Sequence, residues 1–128
     1  MTWEVEHEGR KVEALFFLTQ IGTQAPLTIK LHGSDDEFVP FFTSPDLIGT
    51  FLPHLCNDTG FPPSMFLDIS RAAAKETPQS GNLLVTLLSL FKEEGLRFML
   101  NPVRVSDTRT DFFEIIEEDG VWRLRQMA

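Results

Sequence analysis

The sequence predicts an α+β domain: a mixed or antiparallel sheet with two main helices packed on one face, closed by a C-terminal β-hairpin. Three observations carry this. Two stretches repeat apolar residues at helical spacing, Leu47, Ile48, Phe51, Leu52 and Leu55 in one and Leu83, Leu84, Leu87, Leu88 and Phe91 in the other, so each has one apolar face on a 3.6-residue period. Several apolar runs, among them Val12–Thr19, Phe38–Thr43 and Leu96–Leu100, are of strand rather than helix length. Near the C-terminus, Asp119-Gly120 separates two further apolar runs, which signals a tight hairpin. The 128 residues, 42% of them hydrophobic, suit one domain, residues 1–128.

Taken in order, residues 1–11 are polar apart from Trp3 and Val5 and read as an edge strand or a frayed end. Val12–Thr19 is the first full strand. Gln20–Pro26 carries turn residues, and Leu27–Leu31 alternates apolar and polar as a half-buried strand does. His32–Asp36 is a turn. Phe38–Thr43 is the next strand, and Pro40, which has no amide hydrogen, places it at a sheet edge or beside a bulge. Ser44, Pro45 and Asp46 form a helix start: a hydroxyl cap, a residue that needs no amide hydrogen, and a charge that suits the dipole. Pro53 should end or kink that helix, since its ring meets the carbonyl four residues earlier.

Asn57–Pro63 is loop by composition. Ser64–Ile69 reads as a short strand, and Arg71–Glu76 as a helix former too short to persist alone. Asn82 caps the second helix, Leu83–Glu94, and Gly95 ends it. Leu96–Leu100 is a strand closed by Asn101-Pro102, followed by a polar link from Val103 to Thr110. Asp111–Ile116 and Val121–Met127 form the hairpin, with Trp122 and Leu124 on one face and Arg123 and Arg125 on the other. An exposed pair between Glu114 and Arg123 or Arg125 would contribute about 0.2–1 kcal/mol.

Composition excludes some functions. The net charge of −8, from 19 acidic and 11 basic side chains, argues against nucleic-acid binding, which needs Lys and Arg against phosphates. It fits a basic protein partner. Twelve Phe with no Tyr suggest a dry core. The single cysteine, Cys56, forms no internal disulfide, the acidic N-terminus is unlike a signal peptide, and no apolar run reaches the roughly 20 residues of a membrane span. The expectation is a cytoplasmic protein with no membrane contact.

His54 and Cys56, two apart on a helix, point in different directions and do not make a nucleophile–base pair. His7, His32, His54 and Cys56 show no zinc-ligand spacing. The acidic turns Asp35-Asp36-Glu37 and Glu117-Glu118-Asp119 lack the calcium-loop pattern. Ser44 sits at a strand-to-helix turn but without Gly-x-Ser-x-Gly. No catalytic residue, metal ligand or cofactor is assigned. The loop Phe61, Pro62, Pro63 and Met65 is apolar and stiff; it either covers the core or docks a protein partner. The C-terminal hairpin offers a sheet edge through which a homodimer could form.

Two signatures carry a family resemblance: Phe38-Val-Pro-Phe-Phe-Thr-Ser-Pro-Asp-Leu47, and Leu83–Phe91 followed by Gly95-Leu-Arg-Phe-Met-Leu-Asn-Pro102. Together they resemble the N-terminal domain of the SseB (enhanced serine sensitivity) family, over about residues 27–102. The Pro-rich Phe61–Pro63 and the terminal hairpin depart from that pattern. The resemblance implies a fold and no transferable catalytic residue. The expected function is therefore a small acidic bacterial domain, not an enzyme, that binds another protein. An acidic immunity protein or secretion chaperone facing a basic partner is the alternative within that class, and a hydrolase or transferase with an unrecognised site is the alternative outside it.

Overall fold

Among the described residues the chain is mostly β, with twelve strands and two helices, in a computed structural model that describes residues 2–22, 25–31, 33–59, 67–74, 76–77, 81–106 and 108–127. In chain order the elements are β1 (Thr2–Trp3), β2 (Glu6–His7), β3 (Arg10–Lys11), β4 (Ala14–Gln20), β5 (Ile29–Lys30), β6 (Glu37–Phe42), α1 (Pro45–Thr59) and β7 (Leu67–Ala73). There follow β8 (Glu76–Thr77), β9 (Gly81–Asn82), α2 (Leu83–Glu93), β10 (Arg97–Ser106), β11 (Arg109–Glu118) and β12 (Val121–Met127). One curled sheet holds eight strands in the order β1-β12-β11-β10-β6-β4-β7, with β5 added beside β6. β10 runs parallel to β6, and β1 parallel to β12; the other pairs in this sheet are antiparallel.

The α+β arrangement with both helices on one face is overturned. Successive side chains of a strand point to opposite faces. Phe17 and Phe41 go to one face, where they pack with Leu84, Leu88 and Phe91 of α2. Leu18 and Phe42 go to the other, where they meet Ile48 and Phe51 of α1. The two helices therefore cover opposite faces of a predominantly β structure. The run Phe38-Val-Pro-Phe-Phe42 is buried at every position, so it carries no alternation from which a face could be assigned.

Pro40 is not at an edge. β6 lies inside the sheet, paired with β10 from Phe38 to Phe41. On its other side β5 pairs residues 37–38 and β4 pairs residues 41–42. The gap between these two partners falls at Val39-Pro40, so the missing amide hydrogen is accommodated within a central strand.

Three further expectations change. α1 runs through Pro53 to Thr59, so Pro53 does not end it and Asn57–Thr59, read as loop, are helical. Residues Arg71–Ala73, read as helix-forming, belong to β7, which pairs along the whole of β4 from Ala14↔Ala73 to Gln20↔Leu67; pairing with a neighbour outweighs a helix propensity of tenths of a kcal/mol. The polar link 103–110 belongs largely to β10 and β11, which continue past Asn101-Pro102 through a register shift between Leu100 and Val103. The expected helix cap is present: the Asn82 side chain accepts from Val85 N–H at 3.1 Å. So is the hairpin, where Asp119 and Gly120 both have positive φ, 53° and 79°. The outer edge of β12 is taken at Val121 and Trp122 by β1. The N-terminal segment is thus an ordered edge strand, with Trp3 buried and its Nε1 donating to the Val12 carbonyl at 2.8 Å.

Candidate functional site

Three places concentrate polar chemistry or uncovered apolar surface. The first is a cleft of about 590 Å³ at the carboxyl end of β6, where its parallel pairing with β10 stops. β6 ends at Phe42 and the chain turns into α1, while the register of β10 against β11 breaks after Leu100. Asn101 holds this break with φ 49°, a conformation that asparagine tolerates better than most residues. Its Oδ1 accepts from Thr43 N–H at 3.0 Å, and its Nδ2 lies 3.1 Å from Thr43 Oγ1 and 3.3 Å from His7 Nε2. The two sequence signatures thus meet at one hydrogen-bonded joint.

The His7 ring stands edge-on to Phe113, 5.2 Å between centroids, and its Nε2 is 3.8 Å from Glu8 Oε1. Leu47, Phe51 and Val103 supply the apolar walls of the cleft, with Ser44 and Arg104 among its polar lining. The polar groups His7, Thr43 and Asn101 bind one another and hold β2, the end of β6 and β10 together. The arrangement is a structural clamp with an apolar recess beside it.

The second place is an ion network on the α1 face of the sheet. Glu114 is 4% exposed, although the sequence suggested a solvent pair. Arg97 donates to it through Nε at 2.8 Å and Nη2 at 2.7 Å, and Arg125 through Nη2 at 2.7 Å. Arg97 also reaches Asp36 at 2.8 Å and lies over the Phe38 ring, 4.6 Å from its centroid. Burial by itself pushes the Glu114 carboxyl up; the hydrogen bonds and charges of Arg97 and Arg125 outweigh it and leave the group below the usual carboxylate range. The Arg97 guanidinium is raised, first by its hydrogen bond to Glu114. The network ties β6, β10, β11 and β12 together.

The third place is a groove of about 520 Å³ between α2 and the strands β4 and β7. Phe17, Thr19 and Ser70 form its floor, and Leu87, Leu90, Glu93 and Glu94 its helical wall. Leu83, Leu87 and Leu90 recur at i, i+4 and i+7, which sets them in one row along α2. Leu83 and Leu90 are 53% and 55% exposed.

Of the residues singled out from sequence, Phe61, Pro62, Pro63 and Met65 lie outside the described residues, as does His32. His54 and Cys56 lie on α1. His7 and Ser44 line the cleft at β6 and β10. Asp36 joins Arg97, and Glu117 meets Lys92 Nζ at 3.4 Å. Among the described residues no group of three or more His, Cys, Asp or Glu could hold a metal ion, and no helix is long and apolar enough to cross a membrane. Sequence reasoning missed the groove. A signal was available: Leu83-Leu-Val-Thr-Leu-Leu-Ser-Leu-Phe91 is apolar around more of the helix than one buried face requires.

No protein-family model matches the chain. No curated protein matches it either. Among solved structures, Tic22 from Plasmodium falciparum is similar at 17% identity and a TM-score of 0.45, over 70% of this chain and 42% of that one. The chain thus spans less than half the length of that protein, and a likeness at this level carries no argument about fold or activity.

Proposed function

We propose that this chain is a non-enzymatic domain that binds another protein through the groove beside α2. The observation that supports it is the row Leu83, Leu87 and Leu90 beside a concave floor, with Leu83 and Leu90 exposed and Leu87 half-buried between them. Single exposed leucines need no explanation, but a row of them beside a groove marks an interaction surface. The bacterial, cytoplasmic setting and the kinship with the SseB N-terminal domain belong to the same proposal. They rest on the residues of the two signatures, whose segments meet at Thr43 and Asn101. A second reading, an acidic protein that neutralises a basic partner, is favoured by the net charge of −8.

The test is affinity capture from a bacterial lysate with wild type, Leu90→Asp and Ile69→Asp. Ile69 is equally exposed, at 54%, but pairs with Leu18 and so lies on the opposite face of the sheet. The expected result is a protein recovered by wild type and Ile69→Asp and lost with Leu90→Asp, all three having the same circular dichroism and melting profile. Recovery of the same proteins by all three sinks the proposal.

A further inference from the structure

We infer that the groove beside α2 takes an apolar segment of a partner protein that carries lysine or arginine at the end lying over the last turn of α2. The inference rests on the binding reading above and adds the chemistry and the direction of the occupant.

Charge on the groove is asymmetric. Glu93 and Glu94 line it at the C-terminal end of α2, and both are exposed. Neither carboxylate forms an ion pair among the described residues. Lys92, the basic residue of this turn, is engaged elsewhere: its Nζ lies 3.4 Å from Glu117 Oε1 and 5.8 Å from the Trp122 ring centroid, on the side of α2 that faces β11 and β12. The helix dipole adds to the negative potential here, because the last turn of a helix presents carbonyl oxygens. Beside the floor, Asp68 shares the sheet face of Ser70 two residues along β7 and is exposed.

Among the described residues that line the groove, Glu93 and Glu94 are the charged ones. Beyond its lining, the first turn of α2 starts at Asn82, whose side chain caps Val85 N–H, and leaves Leu83 exposed. Between the two ends the surface is leucine over Phe17 and Phe91. A complementary segment is therefore apolar along Leu83–Leu90 and cationic over Glu93 and Glu94. Acidic segments and nucleic-acid phosphates meet repulsion at that end.

The test uses the full chain and two labelled synthetic amphipathic peptides, one with leucines and a terminal lysine cluster, the other with glutamate in place of each lysine. Fluorescence anisotropy is measured at low and high salt. The lysine peptide should bind tighter than the glutamate peptide, with an advantage that shrinks in salt. Leu90→Asp should abolish binding. The double variant Glu93→Gln/Glu94→Gln should weaken the lysine peptide about fivefold or more, the sum of two surface ion pairs. Glu4→Gln/Glu118→Gln, which removes the same charge elsewhere, should leave it unchanged.

If Leu90→Asp abolishes binding while Glu93→Gln/Glu94→Gln has no effect, the cationic occupant is wrong and the binding groove stands. If both double variants weaken binding equally, the attraction is one of net charge and the inference fails. If Leu90→Asp binds as wild type does, the groove itself is wrong. Sedimentation of the wild type alone completes the test: self-association lost in Leu90→Asp would make a second copy of this chain the occupant and overturn the inference.

Discussion

Replacing Glu114 by glutamine tests whether the buried ion network holds the sheet together. Glu114 accepts three charge-assisted hydrogen bonds, two from Arg97 and one from Arg125. Glutamine keeps the volume and one acceptor but removes the charge. A hydrogen bond to a charged group contributes about 1.5–3 kcal/mol, but these three do not add. Arg97 retains Asp36, and the Arg97 and Arg125 side chains are 34% and 51% exposed, so both reach water once released. The expected cost of Glu114→Gln at neutral pH is therefore about 2 kcal/mol, well below the roughly 3–5 kcal/mol of breaking a fully buried pair.

The pH dependence has a definite sign. The folded-state pKa of Glu114 lies below its unfolded value, which is near 4.3 in model peptides. The stabilisation is present in full above about pH 4.3 and is lost as pH falls through the lower, folded value. Wild type and Glu114→Gln should thus differ by about 2 kcal/mol at neutral pH and converge below the folded pKa. Urea denaturation of both proteins across that range measures it. A difference under about 0.5 kcal/mol at neutral pH, or one that persists undiminished in acid, refutes the assignment.

Removing the cap with Asn82→Ala should destabilise the protein by about 1 kcal/mol, read as a lower urea midpoint with an unchanged slope. Asn101→Ala leaves the Thr43 amide without its side-chain acceptor and should cost about 1–3 kcal/mol; amide exchange at Thr43 should accelerate more than exchange at Phe41. Gly120→Ala, at φ 79° in the hairpin turn, should cost about 1 kcal/mol, whereas Gly49→Ala, in α1 with open space beside its Cβ position, should be neutral or stabilising by up to about 1 kcal/mol. A thermal melt compares the last two directly.

How much could be read from the chain depended on how local each cause was. The Asn82 cap, the Gly95 stop and the Asp119-Gly120 hairpin rest on the conformational preferences of a few adjacent residues, and all three stand in the structure. The apolar faces of α1 and α2 were legible in part: Ile48, Phe51, Leu84, Leu88 and Phe91 are buried, but Leu47 and Leu83 are exposed and Val85 is buried in their stead. The groove was half-legible: the surplus leucines of α2 are plain in the sequence, but their exposure depends on how much of the helix the sheet covers.

The rest was decided in three dimensions. Phe38-Val-Pro-Phe-Phe42 is buried on both sides, so its pattern could not show that Phe41 faces α2 and Phe42 faces α1. Arg71–Ala73 became strand because β4 offered a full ladder of partners. Asn101-Pro102 looked like a stop, yet pairing with β11 carries β10 past it, and the Asn101 side chain bonds Thr43, fifty-eight positions away in sequence. The pair of Glu114 with Arg125 was expected and the hairpin register makes it, but the burial of Glu114 and the approach of Arg97 came from pairing with β10. By itself the sequence determined where the two helices start, the turns at Gly95 and Asp119-Gly120 and the acidic balance, because these are properties of short segments. Only the tertiary structure decided which face each helix covers, which carboxylate is buried and which leucines remain outside, because these depend on residues that meet only when the strands pair.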